Sequence, residues 1–472
     1  MNLALPIWFD EAYSAFLIRG NFSDIWKMTA MDVHPPFYYF CLKLWSLIFG
    51  TSDIALRSMS VFFGIIALIL IFFLIKRLFG KKPALLSTLF LTISPFFLRY
   101  TEEMRMYTLT LVIVLSATLV LDYVLKTKEQ KKTGKFWIIY AVLVSLGMWT
   151  HYFSAFAWLT HLVFIIFYFK KEKQLKVKLK TLFSTYVLAI VLYTPWIPSF
   201  FSQVKTVQNG FWIPPVNLTT PFDFFSETLL LKSASETESW LSILILSTIA
   251  LSAFLSIKHL KQTKSQEEKN NLFYLIMLIF LPPLFLIILS LPPLKPTFMP
   301  RYVFYSSALL SSLLGIIIYH GRNISIAKIQ KKFFSIMLAV LLFISSAIGI
   351  CAVINRENPA DEKDIISLIN EKADKNSPIL LNVSSMDYYN LFFYEKKENP
   401  IYGSEVNIEW GSLEPIKAYG KNLEDPLDFL KNEDSFWLVI PTDSKYDEQF
   451  SSDFKLKEKI ETEKFVALAF YR

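Results

Sequence analysis

The sequence predicts an α-helical, polytopic membrane protein that ends in a small C-terminal extracytoplasmic α/β domain, and three observations carry that prediction. Hydrophobic residues make up 53% of the 472-residue chain and charged residues only 19%, against roughly 25% charged in an ordinary soluble domain. Uncharged apolar stretches recur between residues 58 and 354. The charge is also divided along the chain: the formal total is +8, yet residues 355–472 carry 15 basic and 24 acidic side chains, which leaves a strongly basic part before them. Such asymmetry points away from a nucleic-acid partner and toward a basic, membrane-embedded part followed by an acidic, water-exposed one. Three segments are expected: 1–57 as a first extracytoplasmic loop, 58–354 as a transmembrane domain of about ten helices, and 355–472 as an extracytoplasmic α/β domain. Cys41 and Cys351 lie in apolar surroundings and offer neither a disulfide framework nor metal-ligand spacing.

Along the chain, Met1 to Phe9 is too short for a span or a signal peptide. A bilayer core of about 30 Å takes about 17–25 apolar residues per helix, and an Asp, Lys or Arg at its centre costs about 2.5–3.5 kcal/mol on insertion scales. The candidate stretches are Ser58–Ile75, Ala84–Leu98, Tyr107–Leu121, Phe136–Trp149, Tyr152–Phe169, Thr181–Phe201, Trp240–Ile257, Leu272–Leu291, Tyr302–Tyr319 and Phe333–Ile354. The fourth and fifth abut at His151 and suit either two spans or one kinked element. No Asp, Glu, Lys, Arg or His is expected deep in any of these stretches. Ion-coupled transporters and proton pumps usually need such groups, so that class is disfavoured.

Every second loop is rich in Lys and Arg: 76–82, 126–135, 170–180, 258–269 and 322–332. Cytoplasmic loops carry this excess. The intervening loops and both termini therefore face outward, in a multi-pass protein of the plasma (inner) membrane. After Ile354, D-E-K-D-I-I-S-L-I-N-E-K reads as an amphipathic helix, and P-I-L-L-N-V, F-W-L-V-I-P and F-V-A-L-A-F-Y read as strands. Tyr388, Tyr389 and Tyr394 suit either stacking on sugars or core packing.

The unusual polar residues gather in the outward loops. They are W-F-D-E-A-Y with Asp10 and Glu11, D-V-H-P-P-F-Y-Y from Asp32 to Tyr39, and R-Y-T-E-E-M-R-M-Y from Arg99 to Tyr107. W-T-H-Y at Trp149–Tyr152, F-W-I-P-P at Phe211–Pro215 and M-P-R-Y at Met299–Tyr302 follow. Each has a plain structural reading. Adjacent acids cap helices, aromatic residues and His at a membrane boundary are interfacial anchors, Arg105 pairs with Glu102 three residues away, and Pro35–Pro36 start a helix.

In order, however, D-E, H-P-P-F-Y-Y, I-A-L-R-S at Ile54–Ser58, E-E-M-R-M-Y and T-H-Y resemble the bacterial members of glycosyltransferase family 39. These are the protein O-mannosyltransferase and aminoarabinose-transferase relatives among the GT-C membrane glycosyltransferases. The resemblance is close from Trp8 to about Tyr152 and extends through F-W-I-P-P and Arg301–Tyr302. It implies a GT-C fold and transfer of a sugar from a polyprenyl-phosphate-linked donor to a hydroxyl of an envelope acceptor (protein, lipid or glycan) on the outer face. It also implies a transmembrane helix just before the W-x-D-E segment, one that this sequence does not include. Asp10 matches the family's essential loop carboxylate, and Glu103 or Glu102 lies near its second acidic position. His34 stands where the aminoarabinose transferases tend to carry Lys.

The chemistry asks for the same groups. Displacing a lipid phosphate from an anomeric carbon builds positive charge on the sugar and negative charge on the departing phosphate. Asp10 is expected as the base for the acceptor hydroxyl, with Glu103 as the second catalytic carboxylate. Arg105, His34 and Arg301 are expected on the phosphate, arginine suiting bidentate contact. Glu11, Glu102, Tyr107, His151 and Tyr152 complete the expected substrate site. Single displacement inverts the anomeric centre. No cofactor is required, because the leaving group is already a phosphate, although Asp10, Glu11, His34 and His151 are compatible with a divalent metal. Phe-rich helix faces would meet the polyprenyl tail or ordinary membrane lipids. Two rival classes stay open: a non-enzymatic lipid or polysaccharide flippase or export protein, and a GT-C-like polysaccharide polymerase or ligase acting on an oligosaccharide diphosphate lipid.

Overall fold

The computed structural model describes residues 3–127, 133–171, 175–209, 212–233, 236–263, 265–322, 332–356, 361–374, 376–395, 399–404, 415, 422–423, 426–444 and 453–472. Parts of the basic loops (128–132, 172–174, 264 and 323–331) and Phe211 of F-W-I-P-P lie outside the described residues.

Residues before the first span form three short helices. Helix α1 (Phe9–Leu17) starts at Trp8, whose N–H donates to Glu11 Oε2 at 3.4 Å. Helix α2 (Phe22–Met31) is capped reciprocally, Asn21 Oδ1 accepting from the Asp24 N–H at 3.0 Å while the Asn21 N–H donates to Asp24 Oδ2 at 3.1 Å. Helix α3 (Phe37–Phe49) follows Pro36 and stops at Gly50, whose φ of 86° lies where glycine alone carries no Cβ penalty.

Each candidate apolar stretch is helical. In chain order come α4 (Asp53–Phe79), α5 (Lys81–Thr92), α6 (Pro95–Thr101), α7 (Tyr107–Lys126), α8 (Gly134–Thr150), α9 (Ala155–Lys171), α10 (Leu175–Tyr193) and α11 (Ile197–Asn209). Then follow α12 (Thr220–Leu230), α13 (Ser239–Gln262), α14 (Gln266–Leu289), α15 (Phe304–Gly321) and α16 (Phe333–Ile354). Among the described residues, seven helices are long and apolar enough to cross a membrane, and α5 with α6, bent by 64° at their break, passes the same test only as a pair, which makes eight if the pair is one span. Helices α8 and α9 are shorter, and a single turn at Tyr152–Ser154 separates them, so the stretches that abut at His151 are two helices. The bend between α5 and α6 has a local cause. Pro95 disfavours helical backbone at the residue before it, and Ser94 takes an extended conformation and caps the new helix.

Small residues let the helices close on one another, as they do where lipid offers no hydrophobic drive for association. A Cβ on Gly315 of α15 would lie 2.5 Å from the backbone nitrogen of Ser87 on α5, and Ser87 Oγ donates to the Ser312 carbonyl at 2.7 Å. A Cβ on Gly64 of α4 would lie 2.5 Å from Thr101 Cγ2 at the end of α6.

The expectation that no ionisable group sits at depth fails at His161. This residue is fully buried in α9, and its ring nitrogens face Tyr140 Oη at 2.9 Å and Thr118 Oγ1 at 3.2 Å. Both nitrogens are thus taken by hydroxyls of α8 and α7, which ties three helices together instead of lining an open path. Asp122, one residue past the third stretch, is buried too, and pairs with Arg77 and with Lys126 Nζ at 2.9 Å.

The acidic tail is an α/β fold. Helices α17 (Asp361–Lys372) and α18 (Ser385–Tyr394) accompany strands β1 (Ile379–Leu381), β2 (Ile401–Ser404), β3 (Asn422–Leu423), β4 (Ser435–Pro441), β5 (Lys455–Glu461) and β6 (Phe465–Tyr471). The sheet order is β3-β2-β1-β4-β6-β5, parallel from β3 to β4 and antiparallel beyond. Leu380, Phe436, Leu438, Leu468 and Phe470 form its core.

The chain divides into two units. The first comprises Met1–Leu3, Arg57–Pro198 and Ile213–Arg356; the second comprises Ala4–Leu56, Ser199–Trp212 and Glu357–Arg472. Within the second unit α1 packs on α18. The Phe16 and Tyr389 rings lie 5.0 Å apart, the Arg19 guanidinium sits 4.1 Å from the Phe392 ring centre, and the Ile7 N–H donates to Tyr394 Oη at 2.7 Å. Tyr388, Tyr389 and Tyr394 are buried there, which decides for packing over sugar stacking.

Candidate active site

The candidate residues fall in both units. In the second unit, Asp10 and Glu11 occupy the first turn of α1, but they are placed differently. Glu11 is buried and closes the capping box on Trp8, whereas Asp10 is half-buried and its carbonyl accepts from Ser14 Oγ at 2.8 Å. The plain reading of helix capping therefore holds for Glu11. At the end of α2, buried Asp32 holds His34, with Nδ1 and Oδ2 2.7 Å apart. Tyr13 of α1 lies close to Asp32, and burial first, then that carboxylate, pushes its hydroxyl well above the ordinary phenol range. The Tyr13 ring meets Tyr39 at 6.4 Å and Tyr389 at 5.3 Å, both edge to face. Asp32 stands outside the expected site residues; its signal in the sequence is the i, i+2 spacing to His34 across a helix end.

In the first unit, the chain leaves α6 at Glu102 and resumes as α7 at Tyr107. Between them Glu102, Glu103 and Arg105 are buried. Glu103 Oε2 lies 2.6 Å from Arg99 Nη1, and its carbonyl accepts from Ser60 Oγ of α4 at 2.5 Å. Tyr107, at the start of α7, has its ring centre 6.0 Å from that of His151, which in turn lies 5.6 Å from Tyr302. Tyr152 Oη accepts from Trp196 Nε1 at 2.7 Å, an anchoring bond. Arg301 lies in the short turn before α15, its guanidinium 5.8 Å from the Tyr302 ring centre. Tyr100 stands within electrostatic reach of Arg301, Glu103, Glu227 and Arg99. The structure thus brings Glu103, Tyr107, His151 and Arg301 into one neighbourhood lined by aromatic rings. Of the four residues compatible with a metal, Asp10, Glu11 and His34 belong to the second unit and His151 to the first.

Sequence reasoning missed two members of this neighbourhood. Arg99 was quoted but not chosen as the partner of Glu103. Glu227 on α12 belongs to none of the motifs read from the sequence. Burial, with Asp223 adding to it and Arg301 opposing it, pushes the Glu227 carboxyl up to about 7. Helix α12 also carries Phe225 and Leu229, which line an apolar cavity of about 310 Å³ together with residues of α13, α14 and α15, among them Ile249, Ile276 and Leu313.

Residues 33–198 match the family described as dolichyl-phosphate-mannose-protein mannosyltransferase. A search of curated proteins by sequence returned no significant match. Among solved structures, the chain is similar to ArnT from Cupriavidus metallidurans in the apo state, at 12% identity and a TM-score of 0.59 over 93% of this chain and 87% of that one. It is similar also to the same protein bound to undecaprenyl phosphate, at 12% identity and a TM-score of 0.61 over 98% and 92% of the two chains. An oligosaccharyltransferase from Archaeoglobus fulgidus in its apo form aligns at 13% identity and a TM-score of 0.51 over 93% of this chain and 66% of that one. The resemblance read from the motifs is supported by these matches. The chain is a multi-pass membrane protein with the GT-C glycosyltransferase fold and a small C-terminal α/β region.

Proposed function

We propose that this protein transfers a sugar from a polyprenyl-phosphate donor to a hydroxyl of an envelope acceptor at the outer face of the plasma membrane, with inversion at the anomeric carbon. One observation carries the reading: α12 places Glu227 within electrostatic reach of Arg301 while Phe225 and Leu229 of the same helix line an apolar cavity. A ligand that suits both is an amphiphile with an anionic head and a hydrocarbon tail, and undecaprenyl phosphate, bound by the Cupriavidus protein, has that chemistry.

The roles follow from the charge that the reaction develops. Arg105 and Arg301 hold the phosphate, since guanidinium stays charged and matches phosphate oxygens in pairs. Glu103, paired with Arg99 at 2.6 Å, balances the positive charge on the sugar as its bond to phosphate breaks. In the second unit, Asp10 takes the proton of the acceptor hydroxyl. His34, held by Asp32 at 2.7 Å, is assigned to the phosphate as well. No cofactor is needed, because the phosphate leaves without further activation.

The test is release of free polyprenyl phosphate from a panel of polyprenyl-phosphate sugars by the purified protein, with envelope extract as acceptor and Asp10→Asn alongside. Release by the wild type alone supports the transferase and names the sugar. Silence of the wild type across the panel, with or without a chain extended upstream of Met1, overturns it in favour of the flippase.

A further inference from the structure

We propose a divalent transition-metal site, of zinc type, at the end of the spans remote from Arg301. Its ligands are His259 from the last turns of α13, Glu268 from the first turn of α14 and His320 from the last turn of α15. The chain has only five histidines, and two of them meet here, their ring centres 4.2 Å apart. His259 Nε2 lies 3.1 Å from Glu268 Oε1, and His320 Nε2 lies 3.6 Å from that same oxygen. One ligand atom from each residue lies within 4.8 Å of the others, and among the described residues this is the one such group of His, Cys, Asp or Glu side chains.

Those separations suit a metal better than they suit hydrogen bonds. Zinc bonds of about 2.0–2.2 Å place neighbouring ligand atoms of a tetrahedron about 3.3–3.6 Å apart, and the two contacts bracket that range closely. At 3.6 Å the His320 contact is too long for a hydrogen bond. Both Nε2 atoms are also buried without an aligned hydrogen-bond partner among the described residues, a deficit that buried polar atoms rarely keep. A metal ion accepting both lone pairs and the carboxylate removes it.

The surroundings are arranged for such an ion. Thr263 Oγ1 donates to Glu268 Oε2 at 2.7 Å, which fixes the carboxylate with Oε1 turned to the rings, as outer-shell donors do at metal centres. The nearby cation Arg322 is turned aside: its guanidinium lies 4.4 Å from the Tyr319 ring centre and its Nε–H donates to the Tyr319 carbonyl at 3.2 Å. Two imidazoles and one carboxylate leave a fourth position for water, and borderline-soft ions prefer this donor set over calcium or magnesium. Helix α15 starts beside Arg301 and ends at the site. Its 18 residues put about 27 Å between the two at 1.5 Å per residue. The ion would therefore clasp three helix ends far from the sugar chemistry, as a structural or zinc-sensing site.

The test uses the full chain in detergent, freed of any polyhistidine tag and of metal by chelator, then equilibrated with Zn²⁺ and desalted. Metal analysis is expected to find about one zinc per wild-type chain and a raised melting temperature with zinc, because a ligand that binds only the folded state stabilises it. Glu268→Gln and His320→Gln, run in parallel and kept only as monodisperse protein, are each expected to lose at least tenfold in zinc affinity, while His34→Gln keeps it. Co²⁺ in place of zinc should give the visible absorption of a four-coordinate N/O site in the wild type and not in either variant. Zinc content and Co²⁺ spectrum equal in wild type and in the Glu268→Gln, His320→Gln double variant would overturn the proposal.

Discussion

Arg99 Nη1 lies 2.6 Å from Glu103 Oε2, joining the last turn of α6 to a carboxylate with no exposed surface. The pair forms where the helix has just ended, so the arginine reaches forward past the cap to a residue in the buried connection to α7. Removing one partner of a buried pair leaves the other charge uncompensated, which typically costs about 3–5 kcal/mol. Arg99→Ala is therefore expected to lower stability by an amount of that order and to reduce donor turnover. Glu103→Gln, which keeps the volume and one acceptor, should retain more of the stability and lose turnover by about 10²-fold or more. Thermal unfolding beside polyprenyl-phosphate release separates the two effects; a fully active Glu103→Gln protein would remove Glu103 from the chemistry.

Asp10 and Glu11 are neighbours with opposite expectations. Glu11 closes a helix cap, so Glu11→Ala should cost about 1 kcal/mol in stability, Glu11→Gln should keep the cap, and both should leave turnover within a few fold. Asp10→Asn should leave the melting temperature unchanged and lower turnover by about 10²–10⁴-fold, the range for a lost general base. The comparison is made on the purified variants in one assay. Equal activity of Asp10→Asn and wild type sinks the base assignment.

How much of this was legible in the sequence depends on what each feature leaves in one dimension. The spans and the strands β1, β4 and β6 were legible because burial in lipid or in a sheet core forces runs of apolar residues. The helical spacing behind a Glu102–Arg105 pair does not apply, because α6 stops at Thr101 and α7 begins at Tyr107; the pair of Arg99 with Glu103 spans the end of α6, which spacing along one helix does not predict. Glu227 left no signal, since F-D-F-F-S-E reads as an ordinary amphipathic turn, and only the packing of α12 places its carboxyl near Arg301. His161 sits in the middle of the fifth apolar stretch, where a single neutral imidazole leaves the apolar run unbroken. Its partners Tyr140 and Thr118 come from two other helices, a relation that no local pattern encodes.

Glu227 makes a pH dependence. Its carboxyl is raised to about 7 by burial and by Asp223, with Arg301 opposing, so the neutral form prevails below pH 7 and the anion above it. An anion there competes with the donor phosphate for Arg301 and repels it. Donor affinity is therefore expected to fall as pH rises from about 6 to 8. Glu227→Gln, neutral throughout, should bind donor at pH 8 as tightly as the wild type does at pH 6. Because the carboxyl is raised from an ordinary value of 4.5 to about 7, the folding stability contributed by its protonated form is complete below the ordinary value, declines as pH rises between the two, and is gone above the folded value. Donor titrations at three pH values check the first statement; an unchanged slope in Glu227→Gln would assign the dependence to another group.

The cavity beside α12 should discriminate by tail length. It is lined by Phe225, Leu229, Ile249, Ile276 and Leu313 among others, and its volume of about 310 Å³ sits at the lower end of ligand pockets, about 300–1,000 Å³. Ile249→Trp adds bulk to a wall where neighbouring helices already pack, so it should displace an isoprenoid tail without touching the charged residues near Arg301. The expectation is a KM for a long-chain polyprenyl-phosphate sugar raised about tenfold, corresponding to about 1.4 kcal/mol of lost apolar contact. A short-chain, water-soluble donor analogue should keep its KM and its kcat. If both donors weaken equally, the substitution has disturbed α12 and the site as a whole; if neither does, the tail lies elsewhere, against the lipid-facing helix surfaces, and the cavity is only a packing defect between α12 and α13.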